Sequence, residues 1–275
     1  RRTGEILAAL TGGKYRELLV SPSYELRVKT GTQFYEYAYM SDGTVDQAYL
    51  ALRLAIAERI SPDGEEGYPG NLTVSVTYGW SEDNELSIVY EASCDQDTVF
   101  SVTSHGYFNL NGEGNGTVLD QELRIDADAI TELDDTQCPT GAFLSVEGSP
   151  FDFREMKKIG DGIHCDNAQL KLGGTYDHNF VINGDGLREA AVLQSKESGI
   201  RLTCFTDQPG VQLYVPCYTL HQKGIDGKDY PPYSAVCLET QHYPNAINIE
   251  HFPSVVLKAG ENFRSKTLYH FSVMG

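Results

Sequence analysis

Hydrophobic and polar residues alternate along much of this chain. From Asn71 to Trp80, Leu72, Val74, Val76, Tyr78 and Trp80 fall on one face, and Asn71, Thr73, Ser75, Thr77 and Gly79 on the other. That is the period of a half-buried strand. The polar break Ser81-Glu82-Asp83-Asn84 then leads into Leu86, Ile88 and Tyr90, which predicts a hairpin. The same alternation recurs at Leu123-Ile125-Ala127, Ile200-Leu202-Cys204, Val211-Leu213-Val215 and Val236-Leu238. Short strands separated by Gly, Asp and Asn predict an all-β protein, a sandwich or a barrel. Residues 45–60 are rich in helix formers, yet Leu50, Leu52, Leu54 and Ile56 alternate. Pattern outweighs propensity, so a strand is expected there. Helices are expected to be few and short. No linker-like stretch, low-complexity tract or internal repeat interrupts the chain, so one domain over residues 1–275 is expected.

Charge narrows the possible partners. The 275 residues carry 39 acidic and 21 basic side chains, a formal net charge of −18. This argues against nucleic acid and anionic membrane surfaces as partners. A hydrophobic share of 40% and an aromatic share of 11% are those of a packed globular protein. A chain of this length buries roughly three quarters of its unfolded surface and needs no disulfides for stability. The six cysteines (94, 138, 165, 204, 217, 237) include no C-x-x-C pair. A thiolate zinc site or redox motif is therefore not expected, and scattered free thiols suit a cytoplasmic location. Two sequons, at Asn71 and Asn115, weakly favour secretion but arise often by chance. No apolar run approaches membrane-spanning length, and the opening RRTGEILAALTGG is too short for a signal peptide. It does not start with Met, which leaves open a natural N-terminus further upstream.

Candidate chemistry concentrates in four segments dense in polar and aromatic residues: SPDGEEGYPG (61–70), TSHGYFNLNG (103–112), TYDHNF (175–180) with TDQPGVQLY (206–214), and CLETQHYPNAIN (237–248). Each residue in them also has a plain structural reading. His105 beside Tyr107 and Phe108 would suit a core histidine, and Glu239 a solvent-facing glutamate. Asp177 could cap a turn and Gln208 could fix a loop. The run Asp63 to Gly67 lacks EF-hand spacing and reads as a structural turn. His178 would point to the face opposite Asp177 if that segment is extended. Cys204 and Cys237 read as core residues, and no Ser-His-Asp order suggests a hydrolase.

Together these segments resemble the aldose 1-epimerase (galactose mutarotase) family. Its pieces are a DGEEGYPG turn, T-x-H-x-YFNL, DHNF, QPG-x-Q-x-Y, LETQ and FPS-x-x-L-x-x-GE. They stand here at Asp63 to Gly70, Thr103 to Leu110, Asp177 to Phe180, Gln208 to Tyr214, Leu238 to Gln241 and Phe252 to Glu261. The resemblance holds in order and approximate spacing from residue 61 to the C-terminus. It implies an antiparallel β-sandwich of supersandwich type with a sugar-binding cleft. The implied reaction interconverts the α and β anomers of a free hexose such as galactose or glucose. Such a reaction requires no metal or organic cofactor, only a paired acid and base with tuned pKa values. Carried over by position, Glu239 matches the family's catalytic base and His105 the acid that protonates the ring oxygen. Asp177 and Gln208 match positions that hydrogen-bond sugar hydroxyls. A monosaccharide is thus the implied partner, and 17 tyrosines suit the wet, aromatic face that a neutral sugar needs.

The first 60 residues depart from the family. It carries a GR-x-ANRI segment, whose second Arg contacts the sugar, and then LHGG with a sugar-contacting histidine. The nearest equivalents here are Arg1 to Ile6 and Gly12-Gly13-Lys14-Tyr15, which put Glu5 at the binding Arg. All seven histidines lie after residue 104, so the LHGG histidine is absent, with something near 29–39 in place of that loop. The strands preceding GR-x-ANRI are also expected to be incomplete. Losing a charged sugar contact costs on the order of 1.5 to 3 kcal/mol. A non-catalytic sugar-binding or structural relative is therefore the alternative to an active enzyme. Action on hexose 6-phosphates would need clustered Arg, which the sequence does not supply.

Overall fold

Alternation becomes strand wherever one face of the pattern finds something to bury against, and most of the predicted segments do. The computed structural model describes residues 17–20, 26–30, 33–36, 56–223 and 227–275. Strands β1 (Glu17–Val20), β2 (Leu26–Thr30) and β3 (Gln33–Glu36) form a small antiparallel sheet. There follow β4 (Ile56–Ser61), β5 (Leu72–Trp80), β6 (Glu85–Cys94), β7 (Thr98–Val99), β8 (Tyr107–Phe108), β9 (Glu122–Ile125), β10 (Ala127–Leu133) and β11 (Pro139–Ser145). After β12 (Lys157–Lys158) come two short helices, α1 (Gly160–Ile163) and α2 (Ala168–Gly173). The rest is β13 (Asp177–Ile182), β14 (Arg188–Gln194), β15 (Ile200–Thr206), β16 (Gly210–Tyr214), β17 (Leu220–Lys223), β18 (Asp229–Tyr230), β19 (Val236–Gln241), β20 (Val256–Leu257) and β21 (Asn262–Val273).

Two sheets make the sandwich. One has eight strands in the order β12-β9-β14-β15-β21-β6-β5-β4, the other six in the order β11-β10-β13-β16-β19-β8. Neighbouring strands in both are antiparallel. The core between them draws Ile88, Leu123, Leu202 and Tyr269 from the eight-stranded sheet and Ile130, Phe180, Leu213 and Leu238 from the six-stranded one. Two polar contacts cross this core. Tyr269 Oη donates to the Leu238 carbonyl at 2.8 Å, and the Thr240 and Thr267 hydroxyls lie 2.6 Å apart. Both ends of each contact are buried, so each saves a polar group from being left unpaired in an apolar interior.

The hairpin read at residues 72–90 forms as β5 and β6, with Asn84 at positive φ in its turn and Ser81 Oγ accepting from Asp83 N and Glu85 N. The Leu123-Ile125-Ala127 pattern divides at Asp126, and β9 and β10 enter different sheets. Within residues 45–60, strand β4 begins at Ile56, and 45–55 lie outside the described residues. So do Arg1 to Ile6 and Gly12 to Tyr15. The DGEEG run is a structural turn: Asp63 Oδ1 accepts from Gly70 N at 2.6 Å, and Glu65 is held by Ser61 and Arg59. Among the described residues no helix is long and apolar enough to cross a membrane.

Candidate active site

The cleft lies on the outer face of the six-stranded sheet, and strand alternation decides which side chains reach it. In β19, Val236, Leu238 and Thr240 turn into the sandwich, so Cys237, Glu239 and Gln241 turn outward. In β16, Val211 and Leu213 are core residues, which sends Gln212 and Tyr214 outward. Register does the rest. Gln212 pairs with Glu239, Tyr214 with Cys237, and Asp177 with Tyr214. Asp177 begins β13 just beyond α2, a helix capped by the Asn167 side chain and ended by Gly174 at φ +70°, a conformation suited to glycine. His178, next along β13, is wholly buried, and desolvation lowers its pKa to about 4. Residues 177 and 178 thus face opposite ways, as an extended segment requires.

His105 arrives from the stretch between β7 and β8. Tyr107 pairs with Cys237, and Phe108 packs on Tyr269 with ring centroids 5.1 Å apart. Asn109 Nδ2 donates to the Ser234 carbonyl at 3.0 Å. These contacts tie the stretch to β19, to the residues just before it and to β21. The His105 ring stacks on Tyr107 at 4.9 Å and meets the Tyr214 ring edge-on at 5.8 Å. So placed, His105 Nε2 lies 3.4 Å from Glu239 Oε1.

The resulting cleft, about 500 Å³, is lined by His105, Tyr107, Asp177, Gln212, Tyr214 and Glu239, among others. Glu239 is 6% exposed, and its pKa is raised to about 7, first by burial and then by the nearby Asp177 carboxylate. Burial also raises Asp177, against the lowering effects of Gln212 and His105. Gln212 Nε2 donates to Asp177 Oδ1 at 2.7 Å, and Gln241 Nε2 to Gln212 Oε1 at 3.4 Å. Among the described lining residues, no Lys or Arg is present. A larger cavity of about 800 Å³ lies beyond Tyr107 and Tyr218, with Phe108, Leu110, Ala235 and Phe271 in its walls. Its lining lacks a histidine set against carboxylates, so chemistry rather than size identifies the cleft as the candidate site.

Of the four residues singled out in the sequence, the fold brings together His105, Glu239 and Asp177. Gln208 is elsewhere. It is 2% exposed, and its Nε2 donates to Ser265 Oγ at 2.8 Å, in the eight-stranded sheet. The structure does not bring Gln208, expected from the resemblance to bind sugar, to this cleft: the turn before β16 points its amide at β21, and the second glutamine of QPGVQLY, Gln212, lines the cleft. Alternation in that strand carried the signal, because Val211 and Leu213 as core residues leave Gln212 on the open face. The donor atoms that could hold a cation in the described residues are those of His105, Cys237 and Glu239, all within 4.8 Å of one another.

Comparisons with known proteins agree with this architecture. Residues 53–270 match the aldose 1-epimerase family. Galactose mutarotase from Sus scrofa is 42% identical over 219 residues, which cover 78% of this chain and 62% of that protein. Aldose 1-epimerase from Escherichia coli K12 is 34% identical over 215 residues, covering 77% and 62% respectively. The chain therefore spans 62% of the length of the curated relatives it matches. Among solved structures, galactose 1-epimerase from Lactobacillus acidophilus superposes with a TM-score of 0.70 at 31% identity, covering 80% of this chain and 63% of that one. An aldose epimerase homologue from C. elegans gives 0.69 at 32% identity, covering 80% and 66%.

Proposed function

The chain belongs to the aldose 1-epimerase family, and on that premise we propose that it interconverts the α and β anomers of a free hexose such as galactose or glucose. One observation carries this reading: the 3.4 Å separation of His105 Nε2 and Glu239 Oε1 at the floor of a sugar-sized cleft. Ring opening needs a proton removed from the anomeric hydroxyl and another delivered to the ring oxygen. Both oxygens are bonded to the same carbon, so acid and base must stand side by side, as these two do. Glu239 takes the hydroxyl proton while protonated His105 gives its proton to the ring oxygen, and the bond between C1 and that oxygen breaks. Rotation about C1–C2 turns the other face of the aldehyde to the ring-forming hydroxyl. Closure then runs the two transfers in reverse, and both side chains recover their starting protonation.

Binding falls to Asp177 and Gln212. Their mutual hydrogen bond fixes the carboxylate, leaving its other oxygen free to accept from a sugar hydroxyl. The Tyr107 and Tyr214 rings offer apolar surface to the faces of the sugar ring. The lack of Lys or Arg among the described lining residues supports a neutral hexose over a phosphorylated one. A core shared by both sheets supports reading the chain as one domain, and six unpaired cysteines support a cytoplasmic location.

The competing reading is sugar binding without turnover. Polarimetry on freshly dissolved α-galactose and α-glucose separates the two. Acceleration over buffer that Glu239→Gln abolishes is the expected result. A folded wild-type protein that binds hexose by calorimetry yet leaves the rate of the buffer unchanged would establish binding alone.

A further inference from the structure

Cys237 takes no part in the reaction just described, yet it sits beneath the acid and base. It is two residues from Glu239 on the outward face of β19, and Tyr107 and Tyr214 flank it on the neighbouring strands. Burial is complete and raises the thiol's pKa. Sulfur, imidazole nitrogen and carboxylate oxygen all lie within 4.8 Å of one another, and the nitrogen and oxygen are already 3.4 Å apart.

We propose that Cys237, His105 and Glu239 form a binding site for a thiophilic divalent cation of the zinc class, and that the cation and the sugar exclude each other. The donor set of one sulfur, one nitrogen and one oxygen is of the kind zinc accepts, with a fourth position left for water. Tetrahedral zinc has bonds of about 2.0 to 2.3 Å, which puts ligand atoms roughly 3.3 to 3.8 Å apart. Closing the triad from its present spacing is thus a movement of at most about 1.5 Å. His105 makes that movement readily, being half-exposed and outside any strand. On binding, the S–H bond of Cys237 breaks and a sulfur–metal bond forms, and the thiol proton leaves to solvent together with any proton held on His105 Nε2 or on the Glu239 carboxyl. The cation then occupies the Nε2 and Oε1 lone pairs that serve the anomeric centre. Residue spacing hides such a site, because C-x-E supplies two ligands and the third comes from a distant loop.

Binding itself is independent of the proposed reaction; only the exclusion of sugar rests on it. Co2+ is the probe, since a bound thiolate gives a sulfur-to-cobalt charge-transfer band in the near ultraviolet. Wild type should show a saturable single-site band that persists in Cys217→Ala, the control for the thiol that lines the cleft. The band should vanish in Cys237→Ala, and in Cys237→Ser should that variant alone fold. His105→Ala should weaken Co2+ affinity by about tenfold or more. Galactose should raise the apparent Kd for Co2+, and Zn2+ should raise the apparent KM for galactose. A band that survives in both Cys237 variants, or is missing from wild type, overturns the site even if mutarotation proceeds normally. A normal band in a protein with no mutarotation leaves the site standing and overturns the reaction instead.

Discussion

Gln212 donates its side-chain amide to Asp177 across the β13–β16 ladder at 2.7 Å, while facing Glu239 across the β16–β19 ladder. One neutral side chain therefore stands between the two carboxylates of the cleft, and the Glu239 pKa is raised first by burial and then by the Asp177 carboxylate. Gln212 orients one of the two carboxylates without adding charge.

Substituting Gln212→Ala should act on binding more than on chemistry. A hydrogen bond to a charged group is worth about 1.5 to 3 kcal/mol. KM should thus rise by roughly one to two orders of magnitude with kcat much less affected. Steady-state kinetics on galactose checks the split; a change confined to kcat would place Gln212 on the reaction coordinate instead.

The rate should follow the ionisation of Glu239. A base must be deprotonated to act, so kcat/KM should climb as pH rises through about 7, the value to which burial and Asp177 bring this carboxyl. Asp177→Asn removes the second of those causes. The acid limb of the profile should move to lower pH in that variant even as kcat/KM falls. A limb that stays in place would mean that burial alone sets it.

Stability should carry the opposite pH sign. A carboxyl raised in the folded state binds its proton more tightly there than in the unfolded chain. Its contribution is full below the ordinary carboxyl range and is lost as pH rises through about 7. Glu239→Gln lacks this term. Thermal unfolding between about pH 5 and about pH 8 should show the Tm of wild type falling relative to Glu239→Gln, a variant that also loses about a hundredfold or more in rate.

Gln208→Ala should do the reverse of Gln212→Ala. It removes the donor to Ser265 and opens space in a buried site, at about 1 to 3 kcal/mol in stability. The KM for galactose should stay unchanged. A raised KM with an unchanged Tm would return Gln208 to the cleft.

The contrast between these two glutamines measures what the sequence makes legible. Alternation fixed the faces of β16 and β19, and with them the outward direction of Glu239 and the burial of Leu213 and Leu238. It also separated Asp177 from His178. Gln208 precedes Pro209 and the first strand residue, where no periodicity operates, so its direction depends on the tertiary contact with Ser265. His105 was readable only from its motif. It lies outside any strand, and its approach to Glu239 depends on Tyr107 and Phe108 pairing with β19. The split at Asp126 was invisible for a similar reason: both sides of it alternate, and only the packing of two sheets distinguishes them.

The tether from Tyr269 to the Leu238 carbonyl, next to Glu239, has a consequence for how this protein fails. A slip of β19 by a single residue would carry Leu238 into the cleft and drive the Glu239 carboxylate between the sheets, among apolar side chains with no counter-charge. It would also break the tyrosine contact and the threonine pair that bolt the strand to its opposite sheet. Misregistered chains are thereby pushed toward global unfolding and clearance, with no long-lived, well-packed but inert population. Specific activity per folded molecule should then stay constant across destabilising variants remote from the cleft, while their yield declines.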